Sequence, residues 1–476
     1  MWWGVCGPIA LAADSADELL RRGRVADALA LAAKDAVERP GDLAAQELLI
    51  DIRMTMGAQP TAEREARDRV AAHPTDADAH YLLGRARADP KSSRAAYEAA
   101  LSLAPGHARA QMGMGSLHAA AGRHAEASAA FAAATAADRS LVEAWLGRVR
   151  AALAADDLAT ARTIAAEAHA AVPDAPPLAL AAAQLNPERA EATLSETLKR
   201  VGADPEVSGA LAAHKLANGH PAEAAQLASD ALLDDPTIGD ARRTLLFARE
   251  LASGRLVSME ALEAARRLEV TDPAAALAAY VALVADNPKS SLVLLGRASA
   301  RRITGDKSGA LQDVIAAALA DPTNDEAAAV AGLALREAGR PAEAVLHLRL
   351  AFEARPWDPS LGLALVAALR EDGNSEAARA TIASLAAAMP LDVDVQLHYA
   401  QSLLDQRNYN RAYGVLKLAM LIRPDPRLLA AFIRVAPLAG HPGEAADVLE
   451  PVAQQTNNPS LMQAVLRLRK MAETTR

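Results

Sequence analysis

Aromatic residues are scarce in this chain, 3% of 476 positions, although hydrophobic residues make up 51%. Much of that apolar share is alanine, the best helix former and a rare choice in sheets. The composition therefore excludes a β-rich fold and predicts an all-helical one whose helices approach closely through small side chains. The chain is too long for one compact core, and no aromatic-rich or Gly/Ser-rich stretch separates domains of different kinds, which favours an elongated array. Cys6 is the one cysteine, so internal disulfides and cysteine-based metal sites are excluded. Positive charge is in deficit, with a formal net charge of −9 and no basic block, and a nucleic-acid groove needs clustered Lys and Arg to neutralise phosphates. No apolar run reaches the roughly 18 to 20 residues that span a bilayer.

The N-terminus carries two readings. Residues 2–13, WWGVCGPIALAA, run into Ala10-Leu11-Ala12, a small-x-small cleavage pattern, ahead of an acidic DSADE. That is the form of an export signal. No Lys or Arg precedes it, however, and the distance to Pro40 equally fits a first helix over residues 9–22. Residues 1–13 are thus an export signal or the start of the first helix, and a periplasmic or exported location weighs slightly above a cytoplasmic one.

Prolines expose a period. The interval from Pro40 to Pro74 is the same as each step along Pro288, Pro322, Pro356, Pro390 and Pro424. Twelve residues before these last five stand Ala276, Ala310, Ala344, Ala378 and Ala412, and eight before them Tyr280, Val314, Leu348, Ile382 and Leu416. Alanine and the larger residue lie one turn apart on one helix face, where the alanine admits a neighbouring helix and the larger side chain fills the gap. Gly305, Gly339 and Gly373 mark the turn between two helices of each period. The clearest unit is residues 325–356, DEAAAVAGLALREAGRPAEAVLHLRLAFEARP.

The period of about 34 residues, with Gly332, Ala344, Leu348, Ala351 and Pro356 at its small, alanine, bulky, alanine and proline places, resembles the tetratricopeptide repeat. Gly122, Ala127, Phe131 and Ala134 repeat the match, and Trp145 stands at the aromatic fourth place of the next unit. The resemblance implies a right-handed, all-α solenoid of about thirteen helix-turn-helix repeats, beginning near residues 9, 43, 77, 108, 142, 176, 208, 257, 291, 325, 359, 393 and 427. The interval from Pro236 to Pro288 is one period and about half of another, so an extra helix is expected near the middle. The expected divisions are an N-terminal array over 14–236, a junction helix over 237–256, a regular array over 257–457 and a C-terminal capping helix over 458–476 with Arg467, Arg469 and Lys470 facing water.

Catalytic patterns are missing or explained by packing. Gly113-Met114-Gly115 opens an incomplete dinucleotide fingerprint inside a helix with no strand before it, and Gly305-Asp306-Lys307-Ser308 falls at a repeat turn. The eleven histidines are scattered with no ligand spacing, so no metal, cofactor or catalytic residue is assigned.

The resemblance implies binding along the first helices, on the concave face. Candidates at its groove places are Tyr81, Arg85, Met112, Arg150, Leu295, Leu333, Leu363 and Gln401; none assembles the Lys/Asn clamp of chaperone-tail receptors. Arg302, Arg336 and Arg370 recur once per period at the twelfth place and form a ladder beside the leucines. It suits an acidic, extended protein segment, although Glu337, Glu371 and Asp405 at the next place are positioned to neutralise it. The expected function is a non-enzymatic scaffold or adaptor for a protein or peptide partner. Two alternatives stand beside it: a periplasmic component of a bacterial envelope or polysaccharide machine, which an export signal favours, and an accessory subunit of an enzyme such as a glycosyltransferase.

Overall fold

The computed structural model describes Ser15, Ala16, Leu19 and residues 25–422, 425–455 and 458–474. The export-signal reading of residues 1–13, Cys6 and Pro424 lie outside them. Every regular element among the described residues is helical. The chain divides into two compact units, Met1–Thr193 and Leu194–Arg476. The first holds α1 (Val25–Glu38), α2 (Leu43–Thr55), α3 (Gln59–Ala72), α4 (Ala77–Ala86), α5 (Pro90–Leu103), α6 (Ala108–Ala120), α7 (His124–Ala137), α8 (Val142–Ala154), α9 (Leu158–Ala171) and α10 (Pro176–Leu185). After α11 (Ala190–Val201) the second unit holds α12 (Pro205–Ala217), α13 (Pro221–Asp234), α14 (Gly239–Ala252), α15 (Met259–Thr271), α16 (Pro273–Asp286), α17 (Ser291–Ile303), α18 (Lys307–Ala320), α19 (Asp325–Glu337) and α20 (Pro341–Ala354). It continues through α21 (Pro359–Glu371), α22 (Ser375–Ala388), α23 (Val393–Asp405), α24 (Tyr409–Ile422), α25 (Pro426–Leu438), α26 (Pro442–Gln455) and α27 (Pro459–Thr474). In each unit helical hairpins stack side by side as a solenoid of repeats.

The period is written into the helix ends as well as the core. Ser290, Asn324, Asp358 and Asp392 each accept a hydrogen bond from a backbone N–H of the helix they open, as Asp42 and Asp76 do in the first unit. Such caps satisfy donors that the first turn leaves without partners, each contributing about 1 kcal/mol. At the hairpin turns Gly305, Gly339 and Gly373 take φ of 94°, 71° and 81°. Asp156 and Arg407 hold the equivalent left-handed position at φ 58° and 57° without glycine's freedom, at a cost of roughly 1–2 kcal/mol each.

All five alanine and large-residue pairs expected from the period are buried, from Ala276 and Tyr280 to Ala412 and Leu416. Their packing depends on how little stands opposite. The Phe131 ring lies between Gly115 of α6 and Gly147 of α8, and the Tyr97 ring lies between Gly84 of α4 and Gly113 of α6. The glycines of the incomplete dinucleotide fingerprint are therefore slots for aromatic rings. In the clearest unit Gly332 faces Leu348 in the same way. At the C-terminus α27 buries Leu461, Val465 and Leu468 and leaves Arg467, Arg469 and Lys470 exposed.

These slots make a prediction. A methyl group on Gly147 would stand 2.5 Å from Phe131 Cε1, and Gly115 on the other side leaves the ring no room to retreat without moving a helix. Removing a mid-helix glycine gains about 1 kcal/mol, whereas overpacking costs about 1–3 kcal/mol. Gly147→Ala is expected to lower stability, read as a lower midpoint of thermal unfolding; an unchanged or raised midpoint would show that the ring shifts freely.

Candidate protein-binding face

In the first unit the face built by α2, α4 and α6 is paired by its own side chains. Glu47 of α2 is buried, and its two carboxylate oxygens accept from the Tyr81 hydroxyl on α4 and the Arg109 guanidinium on α6. Asp51, one turn further along α2, receives two hydrogen bonds from Arg85, at 3.0 and 2.6 Å. Tyr81 stacks on Tyr97 with centroids 5.9 Å apart and leans on His107 at 5.4 Å, while His107 Nε2 lies 2.9 Å from Asp78. Burial first, then the Glu47 carboxylate, raises the Tyr81 hydroxyl pKa well above its ordinary value. Glu47 lies one period before Tyr81, and Asp51 lies one period before Arg85. The same period that would align a ligand groove aligns internal partners instead.

Burial and internal pairing set several of the expected groove residues apart. Tyr81 is fully buried, and Met112 is only 9% exposed in the core beside Phe131. Arg85 is half-buried and already bidentate with Asp51. Arg150 alone of the first-unit candidates is exposed and makes no ion pair with the described residues.

The second unit differs. Between α17 and α19, floored by α18, opens a cleft of about 710 Å³. Leu295, Leu311, Val314 and Val330 give it an apolar lining, and Arg302, Lys307, Glu326 and Glu337 stand with them around it. Spacing in the sequence sets Leu295 and Arg302 side by side, and both stand here. It marks Lys307 only as part of a turn and does not single out Glu326. A lysine or acid at an exposed helix start carries no local signal that a cleft lies beside it. Asp306 caps α18 by accepting from Gly309 N at 2.8 Å, which accounts for the Gly-Asp-Lys-Ser string.

The arginine ladder is not uniform. Arg302 and Arg370 are exposed and make no ion pair with the described residues, whereas Arg336 lies 3.6 Å from Glu371 of the following repeat. Leu333 is 40% exposed and Leu363 packs against the core of the second unit; neither lines the 710 Å³ cleft. Gln401 lines a smaller cleft of about 220 Å³ with Leu397, Leu404 and Arg434, and its amide donates to Asp405 at 2.8 Å. Among the described residues no cluster of His, Cys, Asp and Glu is placed to hold a metal ion, and no helix is long and apolar enough to cross a membrane.

The internal pairing of the first unit is testable. Removing the Glu47 carboxylate leaves the Tyr81 hydroxyl buried without its acceptor and Arg109 without its partner. The cost is about 1–3 kcal/mol, discounted because Arg109 reaches solvent. Glu47→Ala is expected to speed amide hydrogen exchange across α2 to α6 by roughly tenfold or more, with the second unit unaffected; unchanged exchange would mean that the network contributes nothing.

A sequence model of the tetratricopeptide repeat matches residues 85–141, 113–176 and 261–326. Among solved structures, the chain is similar to the APC/C hetero-tetramer Cut9–Hcn1, at 14% identity over 97% of this chain and 97% of that one, with a TM-score of 0.30. It is similar to PilF of Pseudomonas aeruginosa at 17% identity over 43% of this chain and 97% of that one, with a TM-score of 0.33. MamA matches at 20% identity over 33% of this chain and 88% of that one, with a TM-score of 0.24. No curated protein matches the chain.

Proposed function

From a chain that carries tetratricopeptide repeats, we infer a protein-interaction scaffold whose principal contact with its partner is the cleft between α17 and α19. The observation that supports this reading is the combination found there: an apolar floor able to take a side chain, and two cations, Arg302 and Lys307, with no ion partner among the described residues. An extended segment that places an apolar residue against Leu295, Leu311 and Val314, and a carboxylate beside Arg302, satisfies both features. Glu326 and Glu337 across the cleft then favour a neutral or basic residue next to that carboxylate. The self-paired face of the first unit makes it the weaker contact, because a ligand there must first displace internal partners and leave one of them uncompensated.

Charge-assisted hydrogen bonds contribute about 1.5–3 kcal/mol each. Arg302→Glu is accordingly expected to reduce recovery of the partner in affinity capture from the source cell by at least about tenfold. Arg150→Glu in the first unit serves as the reference and is expected to change it little. Equal recovery with both variants would remove the cleft from the account.

A further inference from the structure

α14 opens like a first helix, packing on the α12–α13 hairpin, but the helix that follows, α15, pairs with α16 and meets α14 only through contacts such as Arg266 over the Phe247 ring. The polar side chains of α14 are instead spent on turns far along the chain. Glu250 is almost fully buried and makes no ion pair with the described residues; its carboxylate accepts from the Ser290 hydroxyl and, at 2.7 Å each, from the Ser291 backbone N–H and hydroxyl. Asn324 continues the chain of bonds by donating to the Ser291 hydroxyl at 2.8 Å. Just past α14, Arg255 donates to the Asp321 carboxylate at 2.9 Å and to the Ala320 carbonyl at 3.3 Å, and Val257 N donates to Asn287 Oδ1 at 2.8 Å. At the other end of the helix Arg242 reaches Asp325 at 3.2 Å, where Arg355 also binds at 2.8 Å, and its guanidinium lies 5.4 Å from the centre of the Trp357 ring.

α14 and the residues just after it therefore hold the turn before α17 and the turn before α19, and Arg242 also lies over Trp357 in the turn before α21. The first two of those turns carry the walls of the 710 Å³ cleft. Asp321, Asp325 and Asn324 are themselves buried, so each grip is a charged or polar contact with little water to compete, and losing one partner leaves the other uncompensated. Helices α17 and α19 stand far enough apart to leave a cleft floored by α18, and α14 with the segment just past it supplies contacts to the starting points of both.

We propose that α14 and the short segment that follows it form a strut whose Arg242, Glu250 and Arg255 act as positioning residues, setting the separation of α17 and α19 and thereby the width of the cleft. Its importance for binding rests on the reading of that cleft as the contact site; the strut itself does not. None of the three residues lines the cleft, so each acts through the turns it holds. The width becomes a property of the whole segment from 239 to 325 instead of one repeat.

A distance measurement separates the two claims because it needs no partner. In the full chain with Cys6→Ser, spin labels at Arg302→Cys and Glu337→Cys report the separation across the cleft by pulsed electron resonance. The Arg242→Ala and Arg255→Ala pair is expected to widen that distance distribution about twofold while far-UV circular dichroism stays helical. Arg242→Lys with Arg255→Lys, which keeps both charges, is expected to hold it near the parent width. If the alanine pair is too unstable to study, Glu250→Gln, which keeps the shape but weakens the bonds to Ser290 and Ser291, is read the same way and is expected to broaden it. A distribution that stays at the parent width in both the alanine pair and Glu250→Gln overturns the strut, as does equal broadening by the lysine and alanine pairs. Partner capture that fails with a narrow, unperturbed cleft would instead count against the binding reading.

Discussion

The structure depends on a size rule repeated along the chain: where a large side chain of a second helix points at a neighbouring first helix, almost nothing may stand opposite. Phe131 between Gly115 and Gly147 states it most plainly, and Tyr97 between Gly84 and Gly113 repeats it. Close approach of the backbones follows, and most packing is then between neighbouring repeats, so stability accumulates repeat by repeat. The scarcity of aromatics has the same origin. Much of the remaining interface is alanine, which buries less area per residue and leaves the array open to local unfolding.

A period that aligns packing residues also aligns charges, and the two units use that alignment differently. In the first unit, groove places one repeat apart hold opposite partners, Glu47 with Tyr81 and Asp51 with Arg85. The face is satisfied internally. In the second unit Arg302 has no such partner among the described residues and faces an apolar cleft. That contrast is the ground on which we propose the second unit as the partner's contact, without any appeal to the identity of the partner.

The fold was legible because its determinants are local and periodic: a proline once per period, an alanine and a large residue one turn apart, a glycine at the hairpin turn. The site was legible only in part. Arg302, Arg336 and Arg370 are equivalent by spacing, yet Arg336 alone bridges to Glu371, and which rung stays free depends on side-chain placement between repeats. Tyr81 sits at a groove place but is drawn into the core by the buried Glu47 one period earlier, a residue that spacing alone marks as another surface acid. The extra helix was visible as a surplus of about half a period between Pro236 and Pro288. Its contacts were not, because the partners of Arg242, Glu250 and Arg255 lie 40 to 83 positions further on and share no pattern with them.

On our reading the α17–α19 cleft is the partner's principal contact and the first unit a weaker one. Site-specific photo-crosslinking in the source cell tests it most directly, with the photoreactive residue placed at Val330 inside the cleft or at Arg150 on the first unit. A crosslinked protein partner is expected from position 330 and little or none from position 150. Crosslinking from position 150 with none from position 330 would contradict it.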